Sequence, residues 1–193
     1  MEIDVSKLSP MMRKYFAMKE NYPDCLLFFR LGDFYEMFFK DAEIASRILD
    51  LTLTGRNCGL EERAPMCGVP YHAVDTYIRK LIEAGQRVAI CEQLNDPSTA
   101  TGMLDRDVVR VVSPGTVMEE EILDEKSSNY LASVFTEGNG FGLAWADIST
   151  GEFNVFEYDG KDADARLGDL LSAIHPSEIL SNEMLADKAI LQF

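Results

Sequence analysis

Residues Arg30 to Phe39 read RLGDFYEMFF: an apolar run ends in a Gly-Asp pair, and two aromatics and an acid follow at once. A turn ordinarily carries small, polar residues, so Phe34, Tyr35 and Glu36 are out of place for a solvated loop. If the chain is extended from Phe34 to Glu36, alternate side chains point the same way. Phe34 and Glu36 then share one surface, a flat π-face beside a carboxylate. Tyr35 points the other way, where Phe28 or Phe38 can bury it. A plainer account competes. Phe34 is then a core residue at a strand exit, and Glu36 favours the N-terminal end of the next helix through its dipole, worth about 0.3–1 kcal/mol. A Phe-x-Glu triplet is too common to decide between them.

Other chemistry is sparse. The two histidines, His72 and His175, have no second ligand at metal spacing, so no metal is expected. His72 precedes a helical pattern and reads as an N-terminal cap or a core hydrogen bonder. Cys25 and Cys91 lie inside apolar runs and read as buried free thiols, whereas Cys58 and Cys67 flank a loop and read as more exposed.

The elements that must hold Phe34 and Glu36 are legible. Ser9-Pro10 opens a helix with Met12, Tyr15, Phe16 and Lys19 at helical spacing, and Tyr22-Pro23-Asp24 stops it. CLLFFRL (25–31) is too short for a typical helix and reads as a buried central strand. After Gly32-Asp33, the residues Phe38, Ala42, Ala45 and Leu49 step along one helical face. DLTLTGR (50–56) alternates like a short strand, and APMCGVPYHA (64–73) is an extended piece between prolines. Val74, Tyr77, Ile78, Leu81 and Ile82 form an amphipathic helix capped by Gly85. RVAICEQL (87–94) and DVVRVVSPG (107–115) read as strands, with a loop at 95–102 between them.

An acidic stretch, 118–129, reads as a linker or connecting helix. Three strand-like runs separated by Gly/Asn turns follow, then a helix (163–174) and a short strand (177–182). Phe141 and Trp145 read as core. The order βββαβ is how a ribonuclease-H-like sheet begins, and the chain stops before such a sheet would be complete. The expected class is α/β (α+β): a mixed sheet flanked by helices over 1–116, an acidic linker over 117–129, and a truncated ribonuclease-H-like unit over 130–193.

Composition bounds the partners. The chain has 193 residues, 47% hydrophobic and 26% charged, which suits a soluble globular protein. No segment approaches the roughly 20 apolar residues of a membrane span, and no leader opens the chain. The net charge is −15, of which residues 1–115 hold −3 and residues 116–193 hold −12. The first region can gather its basic groups on one face, whereas the second repels phosphate.

Three blocks carry a family resemblance. PMMRKYFAMKENYPDCLLFFRLGDFYEMFFKDAEIASRILDLTLTGR, APMCGVPYHAVDTYIRKLIEAGQRVAICEQLNDP and VVRVVSPGT resemble, in order, the mismatch-recognition domain of the MutS family, over about residues 8–116. FGLAWADISTGEF resembles the start of that family's connector domain. In the family, the Phe of Gly-Asp-Phe-Tyr-Glu enters the DNA minor groove and stacks on a mispaired or unpaired base, and the Glu two residues later hydrogen-bonds that base. By matching motif these are Phe34 and Glu36. Glu36 either accepts from a base N–H or, protonated in the complex, donates. Arg56, Met66 and Tyr71 lie in the flanking blocks as candidate DNA-facing residues. Arg56 is a phosphate contact or a solvated loop charge, and Met66 and Tyr71 are DNA-facing or packing residues.

The resemblance implies a bacterial, cytoplasmic DNA mismatch repair protein, at the nucleoid when bound to DNA, with mismatched duplex DNA, a second MutS-like subunit and a MutL-like protein as partners and no membrane. The family's ATPase needs a GxxxxGK[ST] loop, which this sequence lacks. ATP and Mg are thus expected in a domain outside this chain, which itself is expected to be no enzyme and to need no cofactor. Two rivals stand. One is a metal-dependent nuclease around Asp147 with Glu152 or Asp169, against the simpler reading of Asp147 as a solvent-facing strand carboxylate. The other is a protein-interaction module with Phe34 buried.

Overall fold

The computed structural model describes residues 4–94, 105–117 and 128–182. Its contacts divide the chain into two compact units, one ending at Val112 and the other beginning at Ser113. The loop expected at 95–102 and the acidic connection at 118–129, save Ser128 and Asn129, lie outside the described residues.

The first unit is a mixed sheet flanked by helices. Its strands are β1 (Cys25–Leu31), β2 (Phe34–Phe38), β3 (Thr54–Arg56), β4 (Ala64–Pro70), β5 (Arg87–Gln93) and β6 (Arg106–Val112). They lie in the order β3-β4-β2-β1-β5-β6. β1 is parallel to β5, and the other pairings are antiparallel. The CLLFFRL run forms the central strand expected of it. Three helices flank the sheet: α1 (Pro10–Asn21), α2 (Phe39–Leu49) and α3 (Val74–Glu83). The Ser9 hydroxyl caps α1 by accepting from Met12 N–H at 3.4 Å. Met12 and Tyr15 of α1 share a core with Leu27, Phe29, Phe38, Ala89 and Cys91 on one sheet face. On the other face the Cys67 thiol meets the Ala42 carbonyl of α2 at 3.5 Å.

Three helix, strand and burial expectations give way to local backbone chemistry. Phe38 ends β2 rather than joining the helix, because Phe39 takes φ 53° and turns the chain straight from strand into α2. Asp50, at φ 54°, closes α2 with Leu51 N–H donating to Ser46 O at 2.9 Å, so strand pairing starts only at Thr54. Cys58 and Cys67 are buried like Cys25 and Cys91. Burial pushes the Cys67 thiol up to about 11 and the Cys91 thiol to about 12, which leaves both in the unreactive thiol form.

A buried carboxylate ties the helices to the sheet. Asp41, in the first turn of α2, accepts from the Tyr15 hydroxyl at 2.9 Å and from Leu27 N–H at 3.0 Å. Lys19, in the last turn of α1, pairs with its other oxygen at 2.9 Å. Each charge sits at the helix end whose dipole favours it. Burial, then the neighbouring Asp41 charge, raises the Tyr15 hydroxyl well above its ordinary value, so it stays a donor.

The second unit has strands β7 (Tyr130–Glu137), β8 (Gly140–Asp147) and β9 (Glu152–Asp159), helix α4 (Ala163–Ile174) and strand β10 (Glu178–Ser181). The sheet order is β10-β7-β8-β9, with β10 parallel to β7 and the rest antiparallel. This is the βββαβ arrangement expected. Leu167 and Leu171 of α4 pack on Ala132, Val134, Phe141 and Leu143, with Trp145 half-buried beside them. The opposite sheet face leaves Phe135, Phe153, Val155 and Leu180 exposed.

Removing the Asp41 carboxylate leaves Lys19, Tyr15 and Leu27 N–H without their shared acceptor. Asp41→Ala is expected to lower stability by about 3 kcal/mol, read from urea unfolding.

Candidate nucleic-acid interface

The Gly32-Asp33 pair is a two-residue hairpin turn joining β1 to β2, with Leu31 opposite Phe34. Gly32 has φ 60° whereas Asp33 does not enter the left-handed region. That is the II′ pattern, whose twist matches that of the flanking strands and which demands Gly at its first central position. The strand therefore resumes at Phe34, and the alternation read from the sequence holds. Tyr35 is buried against Phe28, ring centroids 6.0 Å apart, and Phe34 is 47% exposed.

Glu36 shares the Phe34 face but is not open. Its carboxylate is ion-paired with Arg56, with side-chain exposures of 16% for Glu36 and 39% for Arg56. Arg56 lies on β3, two strands away, and is therefore no solvated loop charge. Gly68 of β4 stands opposite Glu36 in register. A Cβ there would come 3.2 Å from Tyr35 O and 3.4 Å from Glu36 Cγ, so Gly leaves the carboxyl its room.

Tyr71 sits at the other end of β4, in a 3₁₀ turn spanning Tyr71–Ala73. Its N–H donates to Asp33 O at 2.9 Å, which fixes the hairpin turn from outside the hairpin. Tyr71 is 44% exposed, and its ring carries the Arg30 guanidinium at 3.8 Å from the centroid. Arg30 also faces the Tyr35 ring and Glu92, and the Tyr35 hydroxyl donates to Glu92. Burial, then the Glu92 carboxylate, pushes that hydroxyl up to about 12. By strand alternation Arg30 and Tyr35 face away from Phe34, so this cluster braces the turn from behind. Met66 is half-buried and packs on the α1-side core. His72 is exposed and edge-on to Tyr71 at 5.8 Å, and α3 has no side-chain cap, so His72 takes neither expected role.

Residues 9–121 match the family model MutS domain I, and residues 129–192 match MutS domain II. The chain belongs to the MutS family. It is 55% identical to a DNA mismatch repair protein MutS of Ruminiclostridium cellulolyticum over 95% of this chain and 21% of that protein. Against the protein of that name in Acetivibrio thermocellus the figures are 54%, 92% and 20%, and in Clostridioides difficile 52%, 95% and 19%. The chain thus spans about a fifth of the length of these relatives.

In the MutS domain II unit, Asp147 is not the solvent-facing carboxylate expected: it is 2% exposed. One oxygen accepts from Ser149 N–H and hydroxyl at 2.9 and 2.6 Å and from Thr150 N–H, and the other accepts from Asn129 N–H at 3.1 Å. It staples the turn after β8. The Ser149 hydroxyl first, then these backbone donors, hold its carboxyl below the usual range. Glu152 stands opposite it in register and accepts instead from Tyr130 and Asn154. Among the described residues no three His, Cys, Asp or Glu side chains gather as a metal site, and no helix is long and apolar enough to cross a membrane.

Sequence reading missed Arg30, Gly68 and Glu92. A charge inside an otherwise apolar strand was the available signal for Arg30; Gly68 and Glu92 matter only through cross-strand register, which the sequence does not print.

Because Asp147 titrates lower folded than unfolded, its contribution is full above the unfolded value near 3.9 and fades as pH falls through the folded value. Asp147→Asn is expected to cost about 1–2 kcal/mol at pH 7. The urea midpoints of the two proteins should converge as the pH is lowered into that acidic range.

Proposed function

We propose that the first unit reads mispaired or unpaired bases in duplex DNA. Phe34 inserts from the minor groove and stacks on the irregular base, Glu36 hydrogen-bonds it, and the encounter initiates mismatch repair. The observation that carries this reading is the exposed Phe34 ring beside a tethered carboxylate, on a strand held along both edges. Exposure alone does not single out Phe34, since Phe135 and Phe153 are more exposed; what does is the ring's place beside the paired carboxylate of Glu36 on one strand face. The printed name of the relatives, DNA mismatch repair protein MutS, and the match of residues 9–121 to MutS domain I support this reading.

The physics of selectivity follows from stacking. Wedging a ring between base steps costs a few kcal/mol of unstacking, and the kink that results brings more protein surface to the DNA. A mispair is already poorly stacked and easily bent, so the cost there is lower. Every base has a π-face, so the ring gains about 1–3 kcal/mol whatever the mispair. Deformability is read, with little sequence readout.

The domain II unit, net acidic and without a metal cluster among its described residues, serves in this reading as a connection rather than a DNA contact or a nuclease. ATP and Mg, a second MutS-like subunit and a MutL-like protein are proposed for the intact protein, whose remaining length lies outside this chain.

Phe34→Ala in the intact protein is expected to weaken binding to a duplex with one mispair by about 10–100-fold. The weak, salt-sensitive binding to matched duplex should stay. A variant that keeps its preference for the mispair refutes the wedge. Glu36→Gln is expected to retain binding at the mispair but discriminate less against matched duplex, measured by titrating both DNAs. Equal loss of affinity on both contradicts the role given to Glu36.

A further inference from the structure

A carboxylate at a DNA-reading surface poses an electrostatic problem, because phosphates repel it at every approach. The structure holds a specific answer in the Glu36–Arg56 pair. Arg56 engages Oε2 of Glu36. Oε1 takes no hydrogen bond from the described residues and remains available. The two side chains come from β2 and β3, on the same sheet face, with Gly68 of the intervening strand leaving the space between them open. With 16% of Glu36 exposed, the carboxylate sits in a site where charge is weakly screened and its partner matters most.

We infer that Arg56 is a positioning residue for Glu36 rather than a phosphate contact: it neutralises the carboxylate and holds Oε1 toward the base that Phe34 stacks on. This rests on the reading of Phe34 and Glu36 given above. A guanidinium can do so without leaving DNA-binding geometry, since it stays charged and rigid and saturates only one carboxylate oxygen. With Arg56 gone, an uncompensated charge would face the backbone; with the charge of Glu36 also gone, Arg56 would have nothing to offset. The two roles for Arg56 therefore separate in one respect. A phosphate contact acts independently of Glu36, and a counter-charge acts only through it.

The test is a double-mutant cycle in the intact protein: wild type, Arg56→Met, Glu36→Gln and the double variant. Each is titrated against a duplex with one mispair and its matched counterpart over a range of salt, with thermal unfolding as the folding control. Arg56→Met is expected to weaken binding at the mispair about tenfold when Glu36 is present, and less than about twofold in the Glu36→Gln background. Arg56→Lys, which keeps the positive charge, should restore most of the loss. The inference is overturned if Arg56→Met costs the same in both backgrounds and lowers the log–log salt slope by about one, the signature of a lost phosphate contact. If Glu36→Gln by itself leaves the preference for the mispair unchanged, the role given to Glu36 fails first, and the inference about Arg56 falls with it.

Discussion

The register of β2 is the constraint on which the rest of the site depends. This five-residue strand is paired on both edges, so Phe34 stands opposite Leu31 and Pro70, and Glu36 opposite Phe29 and Gly68. A slip of one residue would send every side chain to the other face. It would take Tyr35 and Met37 out of their buried positions, each worth roughly 1.5–3 kcal/mol when filled, and drive a carboxylate into their place. The II′ turn at Gly32-Asp33 and the Tyr71 N–H on Asp33 O pin the strand where it starts, and the direct passage from Phe38 into α2 pins where it ends. Display of the ring is thus enforced by the core behind it.

That core is itself set by charge as much as by apolar area. Asp41 holds α1, α2 and β1 at one point, and the Arg30–Tyr71–Tyr35–Glu92 cluster holds the reverse side of the hairpin. Both networks pair their charges internally. The same logic recurs at the surface, where Glu36 is matched by Arg56. A net charge of −15 is therefore a poor guide to this face: most of the excess lies in residues 116–193, and Glu36, the acid on the Phe34 face of β2, is already compensated.

What was legible in the sequence was what depends on period alone. The apolar run CLLFFRL reads as a buried strand, the helix caps at Ser9 and Gly85 read directly, and strand alternation places Phe34 and Glu36 together. What was hidden depends on which strands become neighbours. Glu36 and Arg56 meet across β4, and Arg30 meets Tyr71, 41 positions away, only because β1, β2 and β4 lie side by side. DLTLTGR alternates, yet Asp50 spends the start of that run closing a helix. Asp147 alternates too, but its carboxylate turns back on the Asp-Ile-Ser-Thr-Gly turn, a short-range acceptor role that the turn's own residues announce. Cys58 and Cys67 show that a position near a loop is no measure of exposure.

The wedge role of Phe34 stands or falls on the structure of the intact protein bound to a duplex with a single mispair. It predicts the Phe34 ring stacked on one of the mispaired bases from the minor-groove side, with a Glu36 carboxyl oxygen at hydrogen-bond distance from that base. A complex in which the Phe34 ring lies against protein, or away from the mispair, would contradict it.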